Sequence, residues 1–168
     1  ALAEGDHDEA SQIISEILEI DSVNVAALEM RGSIYLNNNM YDNAIQDLRI
    51  VLNETPNSVR ASILLSRAYE LTGSIELADD TLSDAVRFSD SDGSVALAYA
   101  NFLIKQSAQA RAEEVLVQAL NVNSNDLELL NLLARVRLLQ QNWLGAQQVA
   151  DVIKQLDENG NIGSEIEG

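Results

Sequence analysis

Val25–Ser58 reads VAALEMRGSIYLNNNMYDNAIQDLRIVLNETPNS, and its frame recurs along the chain at a pitch of 34 residues. Ala10, Ala44, Ala78, Ala112 and Ala146 fall on one phase with no insertion between them. A fixed pitch of this length marks a helical repeat array, in which each helix pair needs its neighbours to bury its apolar face. With the shared alanine at position 20, the chain divides into a partial repeat, 1–24, and four full ones, 25–58, 59–92, 93–126 and 127–160. Residues 161–168 are then the stub of a further repeat or a disordered tail. The first repeat begins in mid-motif, which reads as a cut from a longer chain.

The punctuation predicts two helices per repeat. Position 34 holds Asn24, Ser58, Asp92 and Asp126, whose side chains can accept from the orphan amides of a helix starting just after. Position 15 holds Gly5, Asn39, Gly73, Ser107 and Gln141, and glycine or asparagine there can take the left-handed conformation that ends a helix. Asp6, Ser74 and Asn142 follow as caps for the second helix. Position 8 is always small (Gly32, Ser66, Ala100, Ala134), and with the phased alanines it lets the two backbones approach as an antiparallel pair. In the second helix, Ile14, Leu48, Leu82, Leu116 and Ala150 at position 24, with Ile17, Val51, Ala85, Ala119 and Ile153 at position 27, must meet the next repeat's first helix.

This frame of small and large positions resembles the tetratricopeptide repeat, as far as about Leu156. The resemblance implies an all-α fold, an alpha-alpha superhelix in which antiparallel helix pairs stack as a right-handed solenoid. Arg31 and Arg137 depart from it, standing where the family usually carries leucine and tyrosine. Looser packing or an ion pair with a nearby acid is expected at both.

Composition narrows the function. The chain has 168 residues, about one domain's worth, and a formal charge of −17 from 27 acidic and 10 basic residues. That balance disfavours nucleic acid and anionic membrane, whose phosphates need a basic surface. Cysteine is absent, so disulfides and thiolate metal sites are excluded. No apolar run reaches the roughly 18 residues of a membrane helix, and ALAEGDHDEA at the start has neither basic nor apolar signal-peptide regions.

No catalytic motif stands out, and no cofactor or metal is expected. His7, the single histidine, sits at position 17 beside the rings Tyr41 and Trp143 of other repeats, and packing is its plain role. Ser89–Gly93 has the look of a calcium loop, but an EF-hand aligned on Gly93 needs acids where Phe88 and Tyr99 stand. Asn53-Glu54-Thr55 matches a glycosylation acceptor, a pattern frequent by chance.

The resemblance implies a groove lined by the first helices, at positions 2, 5, 9, 12 and 13, and helical spacing puts the first four of these on one stripe. The residues there are Glu29, Ser33, Asn37, Arg60, Arg67, Glu70, Asn101, Lys105, Glu128, Asn131 and Arg135. Four of the chain's ten basic residues therefore share one face. They either pair with nearby acids or bind the carbonyls and carboxylates of an extended peptide, helped by the asparagine amides. The family's clamp for chaperone tails does not match, because its frames give Glu29, Ser33, Leu64, Ser94 and Ala98, or Ile63, Arg67, Ala98, Glu128 and Leu132. The expected function is a non-enzymatic scaffold for a protein or peptide partner. The alternative is self-assembly into homo-oligomers through uncapped terminal repeats. Low aromatic content and regular pitch are also similar to repeat proteins of bacterial cell envelopes, which favours the envelope over the cytoplasm.

Overall fold

The computed structural model describes the backbone of residues 2–166 and the side chains of residues 10–158. Among them are nine helices and no strand: α1 Leu2–Ile20, α2 Val25–Asn37, α3 Tyr41–Glu54, α4 Val59–Leu71, α5 Ile75–Phe88, α6 Gly93–Lys105, α7 Gln109–Val122, α8 Leu127–Leu139 and α9 Trp143–Ile166. The fold is an all-α helical repeat. It comprises two compact units, Ala1–Phe88 and Ser89–Gly168. In the first unit α2 pairs with α3 and α4 with α5, α3 packs on α4, and α1 packs on α2. In the second, α6 pairs with α7 and α8 with α9, and α7 packs on α8.

The four position-34 side chains cap their helices as their chemistry dictates. Asn24 accepts from Ala27 N at 3.1 Å and Ser58 from Ala61 N at 3.2 Å. Asp92 accepts from Ser94 N (2.9 Å) and Val95 N (3.3 Å), and Asp126 from Glu128 N (3.0 Å) and Leu129 N (3.1 Å). Asn142 caps α9 through Gly145 N at 3.0 Å.

At position 15 the geometry is more uniform than the residues. Asn39, Gly73, Ser107 and Gln141 all have positive φ, between 58° and 79°. At each, the next residue's N–H bonds back to the position-11 carbonyl, as in Met40 N to Tyr35 O and Asn142 N to Arg137 O. This doubled closure is the Schellman ending of a helix. Side chains other than glycine pay about 1 kcal/mol for the left-handed conformation. Ser107→Gly with Gln141→Gly is therefore expected to raise stability by roughly 1–2 kcal/mol, read as a higher urea midpoint at unchanged slope.

The small positions bring the helices together. Ala44, Ala78 and Ala112 are wholly buried, Ala146 is buried, and Ala10 is half-buried. Gly32, Ser66 and Ala100 are buried at position 8, and Ala134 is half-buried. A Cβ on Gly32 would stand 2.9 Å from Leu48 Cγ, so this glycine sets the approach of α2 to α3.

Three expectations are corrected. The turn expected at Gly5, with Asp6 as cap, is absent, since α1 runs unbroken from Leu2 to Ile20. No described helix packs against the few residues ahead of Gly5, and continuing a formed helix gains a hydrogen bond per residue. Their side chains, including His7, lie outside the described residues. At the other end, α9 continues to Ile166 through the boundary expected at Gly160, so residues 161–166 prolong a helix instead of opening a repeat; residues 167–168 lie outside the described residues. Finally, Ala150 is exposed and Ile153 half-buried, whereas Leu48 and Leu116 are buried at the position of Ala150, and Val51 and Ala119 at that of Ile153. At the places of Leu48 and Leu52 in α3, buried and half-buried, α9 holds Ala150 and Lys154, both exposed.

Candidate partner-binding faces

Arg31 and Arg137 turn out to be internal ties. Arg31 holds Asp47 in a two-pronged pair, Nε to Oδ2 at 2.7 Å and Nη2 to Oδ1 at 2.9 Å, joining α2 to α3. Asp47 is buried, and its hydrogen bonds hold the Arg31 guanidinium above its ordinary pKa. Arg137 Nε donates to Glu113 Oε1 at 2.8 Å and its Nη1 to Gly145 O at 3.1 Å, so α8 is tied to both α7 and α9. Of the two outcomes expected for these departures, pairing with an acid is what occurs.

The first helices lie side by side within each unit, α2 beside α4 and α6 beside α8. On the first pair, Asn37, Arg60 and Arg67 are exposed, and Glu29, Ser33 and Glu70 half-buried. On the second, Asn101, Lys105, Glu128, Asn131 and Arg135 are all exposed. The structure thus brings the sequence-picked residues together as two faces, one per unit.

Their chemistry differs residue by residue. Glu29 Oε1 meets Arg60 Nε at 3.2 Å, and Glu29 Oε2 accepts from Ser58 Oγ at 3.2 Å, so Arg60 serves as a clasp between α2 and α4. Asn101 Nδ2 donates to Leu97 O at 2.8 Å and Asn131 Nδ2 to Leu127 O at 2.7 Å. Each amide thereby spends one of its two N–H groups on its own helix. Lys105 and Glu70 are engaged in interactions of their own. Arg67 and Arg135 have no ion-pair partner among the described residues.

Reading the sequence for polar groups missed three leucines. Leu71, Leu138 and Leu139 stand at positions 12 and 13, the positions of Glu70, Asn37 and Lys105, and each is about half exposed. Each face therefore joins an unpaired guanidinium to exposed leucine, a mixture suited to holding a peptide.

Residues 25–57 match the family model of the tetratricopeptide repeat. Those 33 residues carry the likeness to that family. The whole array shares its fold with solved structures. MamA is similar with a TM-score of 0.74 at 16% identity, over 97% of this chain and 94% of that one. PilF of Pseudomonas aeruginosa matches with a TM-score of 0.73 at 18% identity, over 92% of this chain and 70% of its own. YrrB, described as a tetratricopeptide-repeat protein with an unusual peptide-binding site, gives 0.67 at 15%, over 88% and 76%. Among curated proteins none matches the sequence. Among the described residues of this repeat protein, no helix is long and apolar enough to cross a membrane, and no group of three or more His, Cys, Asp or Glu could hold a metal ion.

Proposed function

We propose that the chain is a non-enzymatic scaffold that holds a partner protein through peptide bound at the first-helix face of each unit. The observation that carries this reading is the pair Arg67 and Arg135, exposed and without internal ion pairs in a chain of 27 acids and 10 bases. With so many carboxylates available, Arg31, Arg60, Arg87 and Arg137 each found one. Arg67 and Arg135 did not, and both stand at repeat position 9, each on the first-helix face of its unit; Arg49, also without an ion pair among the described residues, lies on α3, away from those faces. A guanidinium fork there can take peptide carbonyls or carboxylates, while the neighbouring leucines bury apolar side chains of the guest. Helical repeat arrays commonly bind partners on such extended surfaces, and YrrB is described by its own peptide-binding site.

The test is affinity capture from the source cell by the wild-type chain and by Arg67→Glu with Arg135→Glu. The double variant is expected to lose its partner while its far-ultraviolet circular dichroism stays the same, because both side chains are exposed and unpaired. Capture that survives both charge reversals removes the faces from the reading. Self-assembly through the terminal repeats is the competing account; α9 exposes Ala150 and Lys154 but also Trp143, Leu144 and Val152.

A further inference from the structure

A separate site lies in the turn ahead of α6, the stretch with the look of a calcium loop, which the scaffold reading leaves unused. Ser89, Asp90, Ser91 and Asp92 wall a cavity of about 330 Å³ together with the end of α7 and the start of α8, all within the second unit. This turn is built unlike the other inter-repeat turns. Asp90 and Ser91 have φ of 50° and 62°, whereas residues 55–58 and 123–126 include no left-handed backbone. At repeat position 33, Val23, Asn57 and Asn125 are exposed, but Ser91 is turned inward and only 7% exposed. Its hydroxyl makes no hydrogen bond among the described residues. Since no fully buried side-chain oxygen or nitrogen among them lacks a partner, that hydroxyl is part of the little surface Ser91 keeps, on the cavity it lines.

Two half-used carboxylates line the same cavity. Asp92 and Asp126 cap their helices through Oδ1 alone, and the second oxygen of each has no partner among the described residues. Gly93 leaves room beside one of them. The other full repeats carry Val25, Val59 and Leu127 at its position, and a Cβ on Gly93 would stand 3.2 Å from Asp126 Oδ2. Asp90 adds an exposed negative charge, and Ala119 and Val122 add apolar wall. Among the described residues no three acids gather closely enough to hold a metal ion. A cation on an apolar stem suits this lining better. An ammonium has three donors and no acceptor, to set against two carboxylate oxygens and a hydroxyl, and its four-carbon stem can lie on the apolar wall. We infer that this cavity receives a lysine side chain of a partner protein, at a place apart from the first-helix faces.

The probe is the peptide acetyl-Gly-Gly-Lys-Gly-Gly-amide, titrated into the isotope-labelled 168-residue chain. Nuclear magnetic resonance follows the amides of Ser94, Val95, Glu128 and Leu129, which donate to the two aspartates. Saturable shifts are expected at these amides, with association roughly tenfold weaker for Asp92→Asn with Asp126→Asn. Asparagine caps a helix as well as aspartate does, and Asn24 does so here, so unchanged circular dichroism is expected to accompany the loss. Gly93→Ala, which crowds Asp126 Oδ2, is expected to weaken association too. The absence of saturable shifts overturns the inference. So does equal binding of the same peptide with its lysine acetylated, or binding indifferent to the asparagine variant. Calcium chloride that moves the same amides and displaces the peptide also overturns it, in favour of a metal site.

Discussion

Arg31→Leu is expected to cost about 3 kcal/mol of stability, because it strands the Asp47 carboxylate in the α2–α3 interface with neither of its two donors. The reverse truncation, Asp47→Leu, is expected to cost less, about 1 kcal/mol. Arg31 keeps roughly a third of its side chain in solvent, so its freed guanidinium can turn to water or to the ring of Tyr35 beneath it. Leucine at both places removes the charges together. That double variant is expected to recover roughly 2 kcal/mol of the summed single costs, a coupling measurable by urea unfolding of the four proteins. Strict additivity would mean that the two side chains do not act as a pair.

The second large effect belongs to the phased alanines. Ala44→Leu forces three extra carbons into a site with no exposed surface, between helices that the small residues hold close. A loss of about 3 kcal/mol or more is expected. Ala10→Leu makes the same chemical change at the equivalent position of the same unit, where the site is only half-covered. There the change is expected to stay within about 0.5 kcal/mol. Equal losses at the two positions would show that close approach of the helices is not what the alanines provide. The comparison holds side chain, helix propensity and repeat position constant, leaving only the covering helix to differ.

What could be read from the chain, and what could not, follows the reach of each interaction. Asn24, Ser58, Asp92 and Asp126 were legible as caps because a cap is a contact over two or three residues. The left-handed turns were legible at Asn39 and Gly73, whose side chains permit them. At Ser107 and Gln141 the hydrogen bonds of the closure impose the conformation against the side chain, which no residue-level preference reveals. Arg31 and Arg137 could be seen to break the pattern, but their partners lie 16 and 24 residues away, so only the fold could name them.

The candidate faces divide in the same manner. Position alone placed Arg67 and Arg135 correctly at the surface. It could not show that Glu29 had already taken Arg60, or that Asn101 and Asn131 were bonded to their own helices. Nor could it find Leu71, Leu138 and Leu139, since a leucine's exposure depends on what its neighbours leave uncovered. The turn at Gly5 was misread for a related reason. At Gly73 the closing hydrogen bonds and the following helix α5 fix the turn, whereas Gly5 lies inside α1.

The outer side of α9 bears on how such an array can lengthen. A duplicated module spliced in at Ser58 would find below it the α3 surface that α4 now covers and present the same surface above, so each new joint would repeat one already made. On α9 the places of Leu48 and Leu52 hold Ala150 and Lys154, a small side chain and a charged one, so the same module would not find the same surface there. Duplication inside the array therefore meets a surface already matched to it.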